Sequence, residues 1–180
     1  MIKHTLLCLF VIFLLSACVA YPTSRTYFKP NPNDGQLTPS MGCGYHTTKN
    51  DAVIKQLGDE TITVMPEYVS GEKFKITLLL ATKPKTDIVL LTDRIAVEVL
   101  NSAIKIYPVE LTVTQVPSVD GKKINQWITL IFPLTADEIE AFDLTIPLSG
   151  SSESLPEDGL LNFNFEKVEA ADFYYNSINC

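Results

Sequence analysis

Short apolar–polar alternation constrains this chain more than any other feature of its sequence. In residues 72–82, EKFKITLLLAT, Phe74, Ile76, Leu78 and Leu80 fall on one face while Lys73, Lys75 and Thr77 begin the other. A period of two belongs to a β-strand with one buried face, because successive side chains on a strand point to opposite sides. Segments of similar character recur at 52–57, 61–69, 88–91, 94–99, 104–116, 124–132, 144–148, 160–166 and 173–178. Turn-forming pairs lie between several of them, the sharpest being Ser70-Gly71, Asp120-Gly121 and Asp158-Gly159. About nine or ten short strands spaced in this way predict an all-β sandwich or barrel.

Pro66 and Pro108 have no N–H to give to a ladder, so their strands are expected to be edges, or bulged or split there. One helical signal stands out. Thr135, Ala136, Asp137 and Glu138 form a capping box with two acids in the first turn, which predicts a short crossover helix near 136–142. Two packed sheets with one short helix resemble the immunoglobulin-like β-sandwich in outline. The resemblance is one of architecture alone, and Trp127 is expected on a sheet face or in the core.

The first residues follow a different rule. Met1, Ile2, Lys3 and His4 precede the apolar run TLLCLFVIFLL at 5–15, and Leu15-Ser16-Ala17-Cys18 follows. Such a run is too short for a bilayer, which needs roughly 20 apolar residues, but it suits the core of an export signal. The tetrapeptide resembles the lipobox of bacterial lipoproteins: a branched apolar residue, two small residues and a cysteine. The resemblance covers residues 1–18 and implies cleavage between Ala17 and Cys18, with a diacylglycerol thioether and an acylated amino group, palmitate for example, on Cys18. Two or three acyl chains anchor a protein durably, where one holds it marginally. Val19 follows the cysteine in place of Asp, which in this class implies the outer membrane.

Residues 18–42 are expected to form a lipidated N-terminus and tether. Pro22, Pro30, Pro32 and Pro39 interrupt this stretch, NPNDG at 31–35 is turn-prone, and neither period runs through it. A polyproline-like tether of this length would reach roughly 70 Å from the lipid. Tyr21, Tyr27 and Phe28, beside Arg25 and Lys29, are more aromatic and basic than a passive spacer requires, and are expected to lie along the domain or at the headgroups.

Cys8 would leave with residues 1–17 and Cys18 would be blocked by lipid, leaving Cys43 and Cys180. In an oxidising compartment two such thiols are expected to pair, which delimits a β-sandwich domain at 43–180. A reactive Cys43 assisted by His46, and a zinc site from Cys43, His46 and Cys180, are the competing uses of the same residues.

Little else carries chemistry. His46 is the only histidine beyond the signal, and no Gly-rich phosphate loop, HExxH or paired CxxC is present. Catalytic, cofactor-binding and metal residues are therefore expected to be none, and the protein to be no enzyme. The net charge is −7, or −8 once Lys3 departs with the signal, which disfavours nucleic acid. Ten acids gather at 134–172: Asp137, Glu138, Glu140, Asp143, Glu153, Glu157, Asp158, Glu166, Glu169 and Asp172, against Lys167 alone. They read as a solvated face, with a basic partner or a calcium ion at 149–159 as the alternatives.

Anchor, tether and missing catalytic clusters together suggest a non-catalytic module of the cell envelope, lipid-anchored in the outer membrane and facing the periplasm or the surface. Its partner would be another envelope protein, met at a sheet edge or loop surface. A carrier of a small apolar ligand would instead need a cavity between the sheets. A hydrolase would need two carboxyls converging in space.

Overall fold

A computed structural model describes residues 20–40, 45–150 and 155–176. The alternating segments become strands: β1 (Ala20–Pro30), β2 (Gln36–Thr38), β3 (Tyr45–His46), β4 (Ala52–Leu57), β5 (Glu60–Glu67), β6 (Lys73–Thr82) and β7 (Val89–Leu90). They continue as β8 (Ala96–Val99), β9 (Ile104–Ile106), β10 (Glu110–Pro117), β11 (Ile124–Thr135), β12 (Ala141–Ser149) and β13 (Leu160–Asn176). All pairings are antiparallel. One sheet runs β1-β13-β12-β8-β9, with β3 against β13 and β7 against β12, and the other runs β10-β11-β6-β5-β4-β2.

The inward positions of both sheets meet in one apolar core. Its centre is aromatic: Phe74 sits 5.2 Å from Phe28 and 5.0 Å from Phe142, edge to face, and Phe142 stacks on Phe165 at 4.9 Å. Phe74, Ile76, Leu78 and Leu80, the alternating set of the sequence, are all fully buried or nearly so. Gly71, Gly121 and Gly159, the second residues of the three expected turns, all have positive φ (77°, 67° and 66°), a conformation that costs glycine nothing.

Both strand prolines behave as their chemistry requires. The segment 104–116 splits around Pro108 into β9 and β10, which belong to different sheets. Pro66 lies beyond Val64, the last β5 residue opposite β4, so it has a ladder neighbour only in β6, across from Ile76.

Two expectations are corrected. The tether is not what residues 20–38 form: β1 pairs with β13 over its whole length, from Ala20 opposite Tyr175 to Pro30 opposite Phe165, and Phe28 is 0% exposed in the core. The sandwich thus begins before residue 43. Prolines are compatible with this because β1 is an edge. Pro22 and Pro30 are eight residues apart, so their missing N–H groups fall on one side of the strand, the side away from β13. The crossover helix at 136–142 is also absent. Ala136–Glu138 make a single 3-10 turn, and the chain is extended again at Ile139. The capping box itself is present, with the Thr135 amide donating to Glu138 Oε2 at 2.7 Å. Burying both Ile139 and Phe142 in the core is what a helix would require, but a tight turn followed by β12 does it too.

Candidate functional site

β10 is the least covered strand among the described residues. Its sequence ELTVTQVP is β-branched and almost uncharged, and all eight residues are exposed. Among the described residues it is the margin of the six-stranded sheet, paired with β11 alone. The register sets Leu111 opposite Leu130 and Val113 opposite Ile128, so both share the inward face with fully buried residues, yet each stays 43% exposed. The cause lies across the sandwich. β9, the margin of the other sheet, is three residues long and leaves that side uncovered, with Ile104 itself 52% exposed. Residues 107–109 join the two margins and add exposed Tyr107 and Val109.

This flank concentrates the apolar surface of the protein. Of the 13 large hydrophobic residues exposed among those described, eight lie within residues 100–119: Leu100, Ile104, Tyr107, Val109, Leu111, Val113, Val116 and Val119. Scattered apolar residues are ordinary on a protein surface, whereas so dense a run in one segment makes this flank a candidate contact surface. At one end of the flank the sheets part into a groove of about 330 Å³, bounded by Leu80, Ile128 and Gln115 on one side and Ile88 and Leu90 on the other.

The backbone of β10 also has free valences. The Ser118 amide donates to the Lys123 carbonyl at 2.8 Å, which continues the β10–β11 register outward by one pair. Hydrogen-bonded positions alternate in an antiparallel ladder, so Val116, Thr114 and Thr112 direct their N–H and C=O groups to β11. Those of Leu111, Val113 and Gln115 point outward. Pro117 shares the outward parity, where its missing N–H breaks no ladder bond.

A second cluster is buried and ionic. Arg25 of β1 forms a salt bridge with Asp51 and lies 3.5 Å from Asp172 of β13, both aspartates being 1% exposed. Asp51 also accepts the Ser40 hydroxyl at 2.8 Å, and Asp172 accepts the Thr48 amide at 2.9 Å and the Phe173 amide at 2.7 Å. Burial pushes the Asp172 carboxyl up, but the Thr48 hydroxyl and amide, the Phe173 amide and the Arg25 charge outweigh it and hold it below the ordinary range. The guanidinium also lies over the Tyr27 ring at 5.3 Å. One cation serving two buried carboxylates ties β1, the segment before β4 and β13 together. Beside it opens a groove of about 460 Å³ that reaches Tyr68 and Trp127, the latter half-buried on the outer sheet face. A carboxyl held below its usual range stays ionised, the opposite of what a general acid needs.

The acids of 134–172 do not form one surface. Asp137 accepts from the Tyr68 hydroxyl and the Gly71 amide, each at 2.6 Å, and these bonds hold its carboxyl below the usual range. Glu138 caps the 3-10 turn, Glu140 pairs with Lys167, Asp143 accepts from the Asn164 side-chain amide, and Asp172 is interior. Much of the acidity therefore serves as local ties. Among the described residues no cluster of His, Cys, Asp and Glu could hold a metal ion. Part of the 149–159 loop, including Glu153, lies outside them.

Ala17, Cys18, Cys43 and Cys180 also lie outside the described residues, as does the side chain of His46. Sequence reasoning missed the Arg25–Asp51–Asp172 cluster, whose members are far apart in the chain and carry no local pattern. It passed over β10 as a site as well, although the near-absence of charge at 110–117 was visible. No helix among the described residues is long and apolar enough to cross a membrane. Comparison of the chain with protein-family models, with curated proteins and with solved structures finds no match.

Proposed function

We propose that the protein is a lipid-anchored, non-catalytic module of the bacterial cell envelope that binds a protein partner by adding a strand to β10. The single observation that carries the docking part is the apolar flank at 100–119 with its outward backbone groups. Edge-strand addition uses both features: main-chain bonds supply affinity and alternate side chains supply selectivity. We read the two sheets as immunoglobulin-like, a reading supported by antiparallel pairing throughout and a shared core.

The anchor belongs to the same proposal and rests on the lipobox at 15–18. Cleavage before Cys18 puts the lipid two residues from β1, so the sandwich sits close to the membrane surface instead of at the end of a long tether. The Cys43–Cys180 bond belongs to the same proposal: Tyr45 pairs opposite Asn176, and in the chain Cys43 comes two residues before β3 and Cys180 four after β13. The test is in two parts. Mass spectrometry of the membrane-extracted protein should find an N-terminal acylated Cys18, and an unmodified residue there removes the anchor. A photoreactive phenylalanine at position 113 should crosslink to a protein when one at position 61, on the outer sheet face, does not. Equal labelling at both positions removes the docking site.

A further inference from the structure

We propose that the strand added to β10 is β10 of a second copy of this chain, paired antiparallel about a two-fold axis at Thr112. This inference rests on the edge-docking reading and names its occupant. The first argument is charge. The chain carries −7 overall, yet residues 100–131 hold Lys105, Lys122 and Lys123 against Glu110 and Asp120. Glu110 is further engaged by Lys73 at 3.1 Å. Two copies can therefore meet here without the repulsion that two acidic faces would impose.

The second argument is register. Groups that point outward on one copy must meet groups that point outward on the other, so the odd positions of β10 can pair only with odd positions of the second copy. An axis at Thr112 puts Leu111 opposite Val113 of the partner subunit and Val113 opposite Leu111 of the partner subunit. Each of those pairs exchanges two main-chain hydrogen bonds. On the inward face this sets apolar against apolar, extending the row that Leu130 and Ile128 begin. On the outward face Thr112 meets its own copy and Glu110 meets a threonine, both favourable cross-strand neighbours. An axis at Val113 would pair all three outward residues and set Val113 against its own copy, but its other side-chain neighbours are poorly matched. It sets Leu111 against a glutamine and Glu110 against a valine, and brings Pro117 into a position that needs an N–H.

The third argument is the lack of protection. Exposed edges are normally blunted by a lysine, an inward-pointing charge, a bulge or extreme shortness. β10 has eight residues with unbroken register to β11 and no lysine; the one bulge, where Val109 and Glu110 both face Ile131, lies at its entry, and its proline is at the last position. A margin built this way is matched to a partner, and its own sequence is complementary to it.

The experiment uses the full chain in bacterial membranes. Thr112→Cys should give a disulfide-linked species of twice the mass under mild oxidation, at least tenfold more than Thr114→Cys, whose copies lie four residues apart in this register. The parent chain, with its own cysteines, sets the background. Adding Val113→Pro, which removes an outward N–H and leaves the bonds to β11 in place, should abolish the Thr112→Cys product without moving the unfolding midpoint. No excess of Thr112→Cys dimer over Thr114→Cys and the parent overturns the self-pairing. The photoreactive residue at 113 separates the failures: an adduct with a different protein alone retires the second copy but keeps the docking edge, whereas no adduct above the position 61 control retires both.

Discussion

Replacing Phe28 with alanine distinguishes a strand that belongs to the core from a tether that merely passes it. Phe28 is fully buried, and its ring lies 5.2 Å from Phe74, 5.3 Å from Phe142 and 5.9 Å from Tyr68, all edge to face. Removing a buried aromatic ring forfeits its transfer free energy of about 1.5–3 kcal/mol, and the void left among rings that cannot collapse adds a cavity cost. The sum expected for Phe28→Ala is about 3–5 kcal/mol. At roughly 2–4 °C per kcal/mol for a chain of this size, the midpoint should fall by about 10 °C. Urea unfolding followed by the fluorescence of Trp127, the only tryptophan, reads the change, and its slope with denaturant should be unaltered. Tyr21→Ala, on an exposed part of the same strand, is the control and should cost less than about 1 kcal/mol. If Phe28→Ala were no more costly than the control, β1 would not be part of the folded unit and the assignment of residues 20–38 to the sandwich would fail.

Other perturbations probe the interior and the loops. Arg25→Met leaves Asp51 and Asp172 buried without their cation and should cost about 3–5 kcal/mol in the same urea assay; a loss below 1 kcal/mol would mean that the carboxylates are not interior. Because the Asp172 carboxyl is held below its unfolded value, the folded state binds fewer protons. Its contribution is therefore complete above about pH 4 and is lost as the pH falls through the folded value. Asp172→Asn should lower stability at neutral pH and flatten its decline below about pH 4; an acid limb as steep as that of the parent contradicts the assignment. Gly35→Ala should destabilise by about 1–3 kcal/mol, since a Cβ there would strike the Ile54 carbonyl oxygen where β2 meets β4; unchanged stability would place the segment before β2 farther from β4. Finally, if the proposed Cys43–Cys180 bond forms, the purified protein should run faster on non-reducing than on reducing gels, and two titratable thiols in the folded chain would exclude it.

How much was legible in advance depended on whether a signal was local. Phe74, Ile76, Leu78 and Leu80 announce a strand because the pleat converts alternation directly into one buried face, and all four are buried. Pro108 announces a break because no partner can supply its missing donor, and the chain changes sheet there. The capping box at 135–138 was also readable and is formed, but local chemistry does not set how far a turn continues. A helix through residue 142 would compete with the ladder that Phe142 makes to Phe165 and Val99, and the ladder prevails.

The amino-acid order alone determined the β character, the turn sites and the inward faces, because each depends on neighbours within a few residues. Only the tertiary arrangement decided that 20–30 is an edge strand, that Arg25, Asp51 and Asp172 share one interior site, and that β10 stands uncovered. Those outcomes depend on which strands lie side by side and how far the opposing sheet extends. Burial is a property of what packs above a residue, and a residue such as Val113 reads the same in the chain whether another strand covers it or none does.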